Sequence, residues 1–318
     1  MHHLTRRLLL ATLALVSVAM ASQSWAAEKI KIVASFTILG DMAANVGGEY
    51  VTITTLVGPD GDAHVYEPNS ADARALTEAD LVLVNGLGFE GWIDRLIKAS
   101  GYKGPVVVAS DGISPLTAEE EHDHDHAAGA SEAGEKSTDH DHGVFDPHAW
   151  QDLANGRVYA ANIARALAAA DPAHAQAYRL RAEAYDRELA ALDQDIRSRL
   201  NAVPIDRRKV ITSHDAFQYF GRAYGIEFHA PVGLSTESEP SADEVAALVR
   251  QMKEEGIRAL FVENITDPRL MRQLAREAGA VIGGTLYSDS LSGPQGPAAT
   301  YLDMFRHNAD EIAKAFTS

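Results

Sequence analysis

The chain has 318 residues, 46% of them hydrophobic, enough for one large or two modest domains with a sizeable core. Its formal net charge of −17 repels nucleic acid and anionic lipid and draws cations, so no nucleic-acid partner is expected. The absence of cysteine removes disulfides, thiolate metal ligands, a cysteine nucleophile and a lipid-carrying N-terminal cysteine from consideration.

Residues 1–26 read as a signal peptide: Arg6-Arg7 form a basic start, 8–21 an apolar stretch, and Ser24 and Ala26 supply small residues before a cut. The apolar stretch is too short and too rich in Ala and Ser for a membrane span. The arginine pair faintly resembles a twin-arginine signal, and the sequence does not separate the two export routes. Without this stretch the chain carries 26 basic against 45 acidic residues, a charge of −19. A secreted chain with no lipid anchor is expected free in a periplasm.

A first βα series follows over 27–170. Strands are predicted at 29–36, 51–57, 80–84 and 105–109, and helices at 36–46, 71–78 and 92–99, an alternation that argues for a parallel sheet. Residues 117–143 break it. Their run Glu119-Glu120-Glu121-His122-Asp123-His124-Asp125-His126 and its echo Asp139-His140-Asp141-His142 have no apolar periodicity, and predict a mobile loop. From Asp171-Pro172 to Leu200 runs an uninterrupted helical pattern, with Asp171 as its expected cap and Pro172 in its first turn. At 1.5 Å per residue it is roughly 40 Å long, enough for a linking helix over 171–202. A second βα series occupies 203–318, with strands at 209–213, 225–230, 259–263 and 280–286. Its helices fall at 216–224, 241–255, 268–278 and 300–316, and Ser241 with Glu244 forms a capping box on the second of them. The expected fold is α/β: two βα lobes with parallel sheets, joined by one long rigid helix, with a cleft between the strand ends. Such a stiff link predicts modest lobe motion.

His64, His148, His214 and Asp289 each fall just beyond a predicted strand, where open α/β sheets bind ligands. Three imidazoles and a carboxylate make a complete shell for a transition metal such as zinc. Two come from each lobe, so a metal would tie the lobes together. Asp62, Asp146, Asp215 and Glu263 are candidates for orienting the imidazoles, each equally able to be a cap or turn residue. His174 and His307 lie on helices without partners at metal spacing, and His229 is the reserve ligand. The loop histidines His122, His124, His126, His140 and His142 make an auxiliary weak metal site on a flexible tether.

At these residues the chain resembles a family. The motifs are Asp62-Ala63-His64-Val65-Tyr66-Glu67-Pro68, Asp146-Pro147-His148-Ala149-Trp150, Ser213-His214-Asp215-Ala216-Phe217, Glu239-Pro240-Ser241 and Ser288-Asp289-Ser290. They are similar to those of the ZnuA-type metal receptors of zinc and manganese ABC importers, and the resemblance runs from about 29 to 318. It implies two lobes on a rigid helix, a metal carried as cargo, and a separate permease and ATPase as partners. It also implies a periplasmic location and no catalysis. In the family, manganese receptors resemble His, His, Glu, Asp at the four positions, whereas zinc receptors tend to carry a third histidine. Here His214 is that third histidine, so a high-affinity Zn²⁺ receptor is expected, with a manganese or broad divalent-metal receptor as the alternative. A periplasmic zinc chaperone docking on the loop and a monomeric state are further expectations. A secreted zinc-dependent hydrolase is the alternative of another class. It needs an open water position on zinc, with Asp289 as general base, and the chain has no H-E-x-x-H motif.

Overall fold

The computed structural model describes residues 28–117 and 145–317. The expected signal peptide and the loop histidines lie outside these residues. The first sheet contains β1 (Ile30–Phe36), β2 (Val51–Val57), β3 (Leu81–Val84) and β4 (Val106–Val108), in the order β2-β1-β3-β4 and all parallel. Crossovers run through α1 (Thr37–Gly47), α2 (Ser70–Glu78) and α3 (Ile93–Ser100). The second sheet repeats the plan: β5 (Lys209–Ile211), β6 (Glu227–His229), β7 (Ala259–Glu263) and β8 (Val281–Leu286) lie in the order β6-β5-β7-β8, again parallel. Helices α6 (Gln218–Tyr224), α7 (Ala242–Glu255), α8 (Arg269–Ala278) and α9 (Tyr301–Thr317) complete it. The central strand β3 is buried along its whole length as Leu-Val-Leu-Val, as expected of a parallel sheet covered on both faces. In each sheet the winding reverses between the two central strands, β1 and β3 or β5 and β7, which opens a crevice at the strand C-termini.

One helix escaped the sequence reading. Helix α4 (Leu153–Ala170) precedes the long helix α5 (Ala175–Leu200) and packs along it. Its signals are Asp152, which caps the Ala154 N–H at 2.8 Å, and the buried series Tyr159, Ala160, Ile163, Ala164 and Leu167 at helical spacing. The long helix that joins the lobes is therefore one arm of a helical hairpin. The expected cap at Asp171 is corrected: Pro172–His174 forms a 3-10 turn, and the Asp171 carboxylate instead accepts from Tyr178 Oη at 2.8 Å and lies 2.6 Å from His174 Nδ1. The Ser241–Glu244 capping box is made in both directions.

Helix α5 buries Tyr178, Tyr185, Leu189, Leu192, Ile196 and Leu200 along one stripe. That stripe meets α1 of the first lobe and α9 of the second. The main apolar core is continuous across the lobes, from Phe36, Phe89 and Trp150 to Phe217, Phe220 and Phe305. Only the layer around α7 and α8 has a core of its own. Opening the lobes widely would expose this shared core to water, which costs about 25 cal/mol per Å² of apolar surface.

One lobe contact is sensitive to pH. Asp41 on α1 accepts the first N–H of α9, from Tyr301, at 2.9 Å. Burial, with Asp303 adding to it, pushes its carboxyl up from 3.8 to about 6 against the opposing hydrogen bonds. Between those values the folded chain holds a proton that the unfolded chain has lost. This group therefore favours folding below pH 4–6 and opposes it as pH rises through 6. Asparagine keeps the acceptor without the charge. Asp41→Asn is expected to stabilise the metal-free protein by about 1–3 kcal/mol at pH 7.5, with the gain fading toward pH 4, as read by urea unfolding at the two pH values.

Candidate metal centre

His64 follows β2 through the turn-rich Gly58–Asp62 stretch. Its backbone N–H is taken by Asp62 Oδ1 at 2.9 Å, and the Ala63 carbonyl receives Trp92 Nε1 at 2.8 Å. The short aspartate side chain closing on the backbone two residues on is what makes this turn. The ring stands edge-on to Phe89, with centroids 4.8 Å apart.

His148 corrects the strand-end rule. Among the described residues no strand leads into it: β4 ends at Val108, Phe145 makes only an isolated bridge with Thr117, and His148 lies just before α4. Asp146 Oδ1 holds it twice, accepting its backbone N–H at 2.9 Å and lying 2.7 Å from its Nδ1. Asn85 donates to the Pro147 carbonyl at 2.9 Å and accepts from Tyr159 Oη at 2.6 Å.

His214 follows β5. Glu263, at the end of β7, accepts its backbone N–H at 2.8 Å and lies 2.6 Å from its Nδ1. Asp289 follows β8, and the carbonyl before it, Ser288, receives Trp150 Nε1 at 2.9 Å and Gln151 Nε2 at 2.7 Å.

The four side chains converge, with one donor atom of each lying within 4.8 Å of the others. Asp289 Oδ2 lies 3.2 Å from both His64 Nε2 and His214 Nε2, Oδ1 lies 3.7 Å from His148 Nε2, and the His64 and His148 Nε2 atoms are 3.3 Å apart. His148, His214 and Asp289 are fully buried, and His64 is 8% exposed. Both Asp289 oxygens and His214 Nε2 lack hydrogen-bond partners there. Buried polar atoms that converge without good hydrogen-bond geometry cost desolvation energy that a bound cation offsets. Burial pushes the Asp289 carboxyl up, but His214, His148 and His64 together hold it far below the usual carboxylate range. Burial pushes His214 down, but Glu263 and Asp289 on its two sides hold it well above the usual histidine range.

Of the four acids weighed as orienting groups, Asp146 and Glu263 hold ring nitrogens. Asp62 holds no ring: it accepts the His64 backbone N–H and, from the other lobe, Thr236 Oγ1 at 2.6 Å, while Asp215 pairs with Gln218. His229 is corrected as a reserve ligand. It lies apart, 2.8 Å from Glu227, in a cluster with Glu255 where Lys209 Nζ already stands 2.5 Å from Glu255 and 3.2 Å from Glu227. His174 stacks on Tyr50, and His307 Nε2 lies 2.9 Å from the Thr285 carbonyl.

Sequence reasoning missed Glu90, a buried acid that accepts from Ser35 Oγ at 2.5 Å and the Asn85 N–H at 2.6 Å. It braces the turn Gly86-Leu87-Gly88, whose φ values of 88°, 56° and 82° are all left-handed. For Leu87 that conformation costs roughly 1–2 kcal/mol. The turn delivers Phe89 against His64. The available signal was an acid inside the otherwise glycine-rich Gly86-Leu87-Gly88-Phe89-Glu90-Gly91.

Two parallel-sheet lobes on one helical link, with three imidazoles and a carboxylate buried between them, define a metal-binding receptor. Residues 32–315 match the family described as zinc-uptake complex component A, periplasmic (ZnuA), and the chain belongs to it. It is 33% identical over 290 residues to the iron-binding protein YfeA of Yersinia pestis, covering 91% of this chain and 87% of that protein. It is 29% identical over 299 residues to the manganese ABC transporter substrate-binding lipoprotein PsaA of Streptococcus pneumoniae, covering 92% and 91%. Among solved structures, the periplasmic zinc-binding protein TroA of Treponema pallidum superposes with a TM-score of 0.80 at 29% identity, covering 91% of this chain and 99% of that one. The chain is thus an extracytoplasmic metal-binding receptor of an ABC importer, working with a membrane permease and an ATPase. Its metal is cargo, and its family is one of transport receptors.

Proposed function

We propose that this chain is a zinc receptor, free and monomeric in the periplasm, and that His64, His148, His214 and Asp289 are the ligands of the Zn²⁺ it delivers. The observation that carries this reading is the spacing of the donors. A tetrahedron with bonds of roughly 2.0 Å has edges of about 3.3 Å, and three of the donor separations are 3.2, 3.2 and 3.3 Å. Three nitrogens and one oxygen suit zinc, whereas manganese favours more oxygen donors. With Asp146 and Glu263 behind two of the imidazoles, three carboxylates offset the dication. Asp289 stands at the distance of a fourth ligand rather than across a water, which favours cargo binding over the hydrolase alternative. The absence of cysteine supports a free protein where several relatives are lipoproteins.

The second reading, a manganese or broad divalent-metal receptor, draws on the iron and manganese named for relatives at 29–33% identity. Titration of metal-stripped protein against a competing chelator decides between them. One tightly held Zn²⁺ that Mn²⁺ and Fe²⁺ do not displace is the expected result. Comparable affinity for Mn²⁺ would replace zinc with divalent metal in general.

A further inference from the structure

Two of the four proposed ligands, His148 and Asp289, are held by hydrogen bonds that cross between the lobes, one in each direction. Tyr219, fully buried on α6 and five residues past His214, sends its hydroxyl to the first-lobe side. There Oη donates to the Asp146 carbonyl at 2.9 Å and accepts the Leu116 N–H at 2.9 Å. Asp146 is the residue whose carboxylate clamps both the backbone and the ring of His148. The reverse brace comes from Gln151 and Trp150, just past His148. Both donate to the Ser288 carbonyl, the peptide group leading into Asp289. Gln151 is fully buried, at the start of the helical hairpin.

We propose that Tyr219 and Gln151 are positioning residues that cross-brace the metal site, each holding from one lobe the peptide that carries a ligand of the other. Neither supplies a donor atom to the metal. Each fixes a carbonyl within two residues of a ligand, so His148 and Asp289 take their places only when the lobes are docked. The physical reason is geometric. Four donors contributed by separate segments reach spacings of 3.2–3.7 Å only if the segments share a frame, and no hydrogen bond within one lobe can set the distance to the other. The proposal rests on the assignment of these four residues as ligands.

The test compares Tyr219→Phe, Gln151→Leu and the double variant with the wild type in the full mature chain. The readouts are chelator competition with Zn²⁺, the visible absorption of the Co²⁺-loaded protein, and the melting temperature of the metal-free form. Each single variant is expected to weaken Zn²⁺ binding on the order of tenfold, the lower end of the effect of orienting groups around a metal. Each should also lower and shift the tetrahedral Co²⁺ band. The double variant should fall short of the product of the singles, because both bonds act on the one geometry that the four ligands share. Singles that melt earlier yet bind Zn²⁺ within twofold of wild type, with an unchanged Co²⁺ spectrum, would reduce both residues to ordinary stabilising contacts and overturn the proposal. Failure of the wild type itself to bind Zn²⁺ or Co²⁺ tightly would instead overturn the ligand assignment. The two results are therefore separable.

Discussion

Asp289→Asn is expected to raise the Kd for Zn²⁺ by roughly two to four powers of ten. The change keeps the size of the side chain and removes the carboxylate charge among the four proposed ligands. Breaking a buried charge pair costs about 3–5 kcal/mol, and each 1.4 kcal/mol is tenfold in Kd. The same substitution should alter the proton count of binding. In the metal-free protein His214 is held well above the usual histidine range, because Glu263 and Asp289 outweigh its burial. It therefore carries a proton at neutral pH, and a metal at Nε2 must expel it. Wild-type affinity should rise with pH up to that raised value and fall about tenfold per unit as pH drops. With asparagine at position 289 one of the two attracting carboxylates is gone, so fewer protons leave per metal bound. Calorimetric titration in two buffers of different ionisation enthalpy reads that number directly. A wild-type Kd for Asp289→Asn would mean that the fourth donor is a different group.

His214→Glu is expected to lower Zn²⁺ affinity by about ten- to a hundredfold, an effect of the size seen when a metal's immediate surroundings are disturbed. A carboxylate oxygen suits manganese better than zinc, so the zinc preference should narrow. The full exchange is opposed by Glu263. This acid, 2.6 Å from His214 Nδ1, would face the introduced carboxylate as a buried like charge. The double variant His214→Glu with Glu263→Gln should therefore bind Mn²⁺ more tightly than His214→Glu alone. Equal Mn²⁺ affinities in the two variants would show that Glu263 does not set the identity of the third ligand.

Much of the architecture could be read from local chemistry. Alternating strand and helix patterns with glycine and proline stops located both sheets, because a parallel strand buried on both faces is a short, continuous apolar run, as in Leu81–Val84. Ser241 and Glu244 announced the start of α7 because a capping box is a contact between residues three apart. Helix α4 was overlooked although Asp152 and its apolar series carried the same kind of signal. The turn before His148 attracted the reading, and the run of alanines behind it has little amphipathic contrast. Asp171 shows the limit of local rules: it stands where a cap belongs, yet Tyr178 and His174 claim its carboxylate.

For the site, the sequence by itself determined which residues have metal-binding chemistry and the turns that carry them. His64, His148, His214 and Asp289 stand in Asp- and Pro-rich or strand-end segments whose local geometry is set by their neighbours. Only the tertiary structure decided that these four meet, that His229 does not join them, and that Asp146 and Glu263 orient imidazoles while Asp62 and Asp215 do not. Only it revealed the bonds from Tyr219 and Gln151 across the lobes, between residues 73 and 137 positions apart. Residue type and near neighbours fix what a side chain can bind. Which distant segment shares its space depends on sheet order, helix packing and a continuous core, and no short window of sequence contains those.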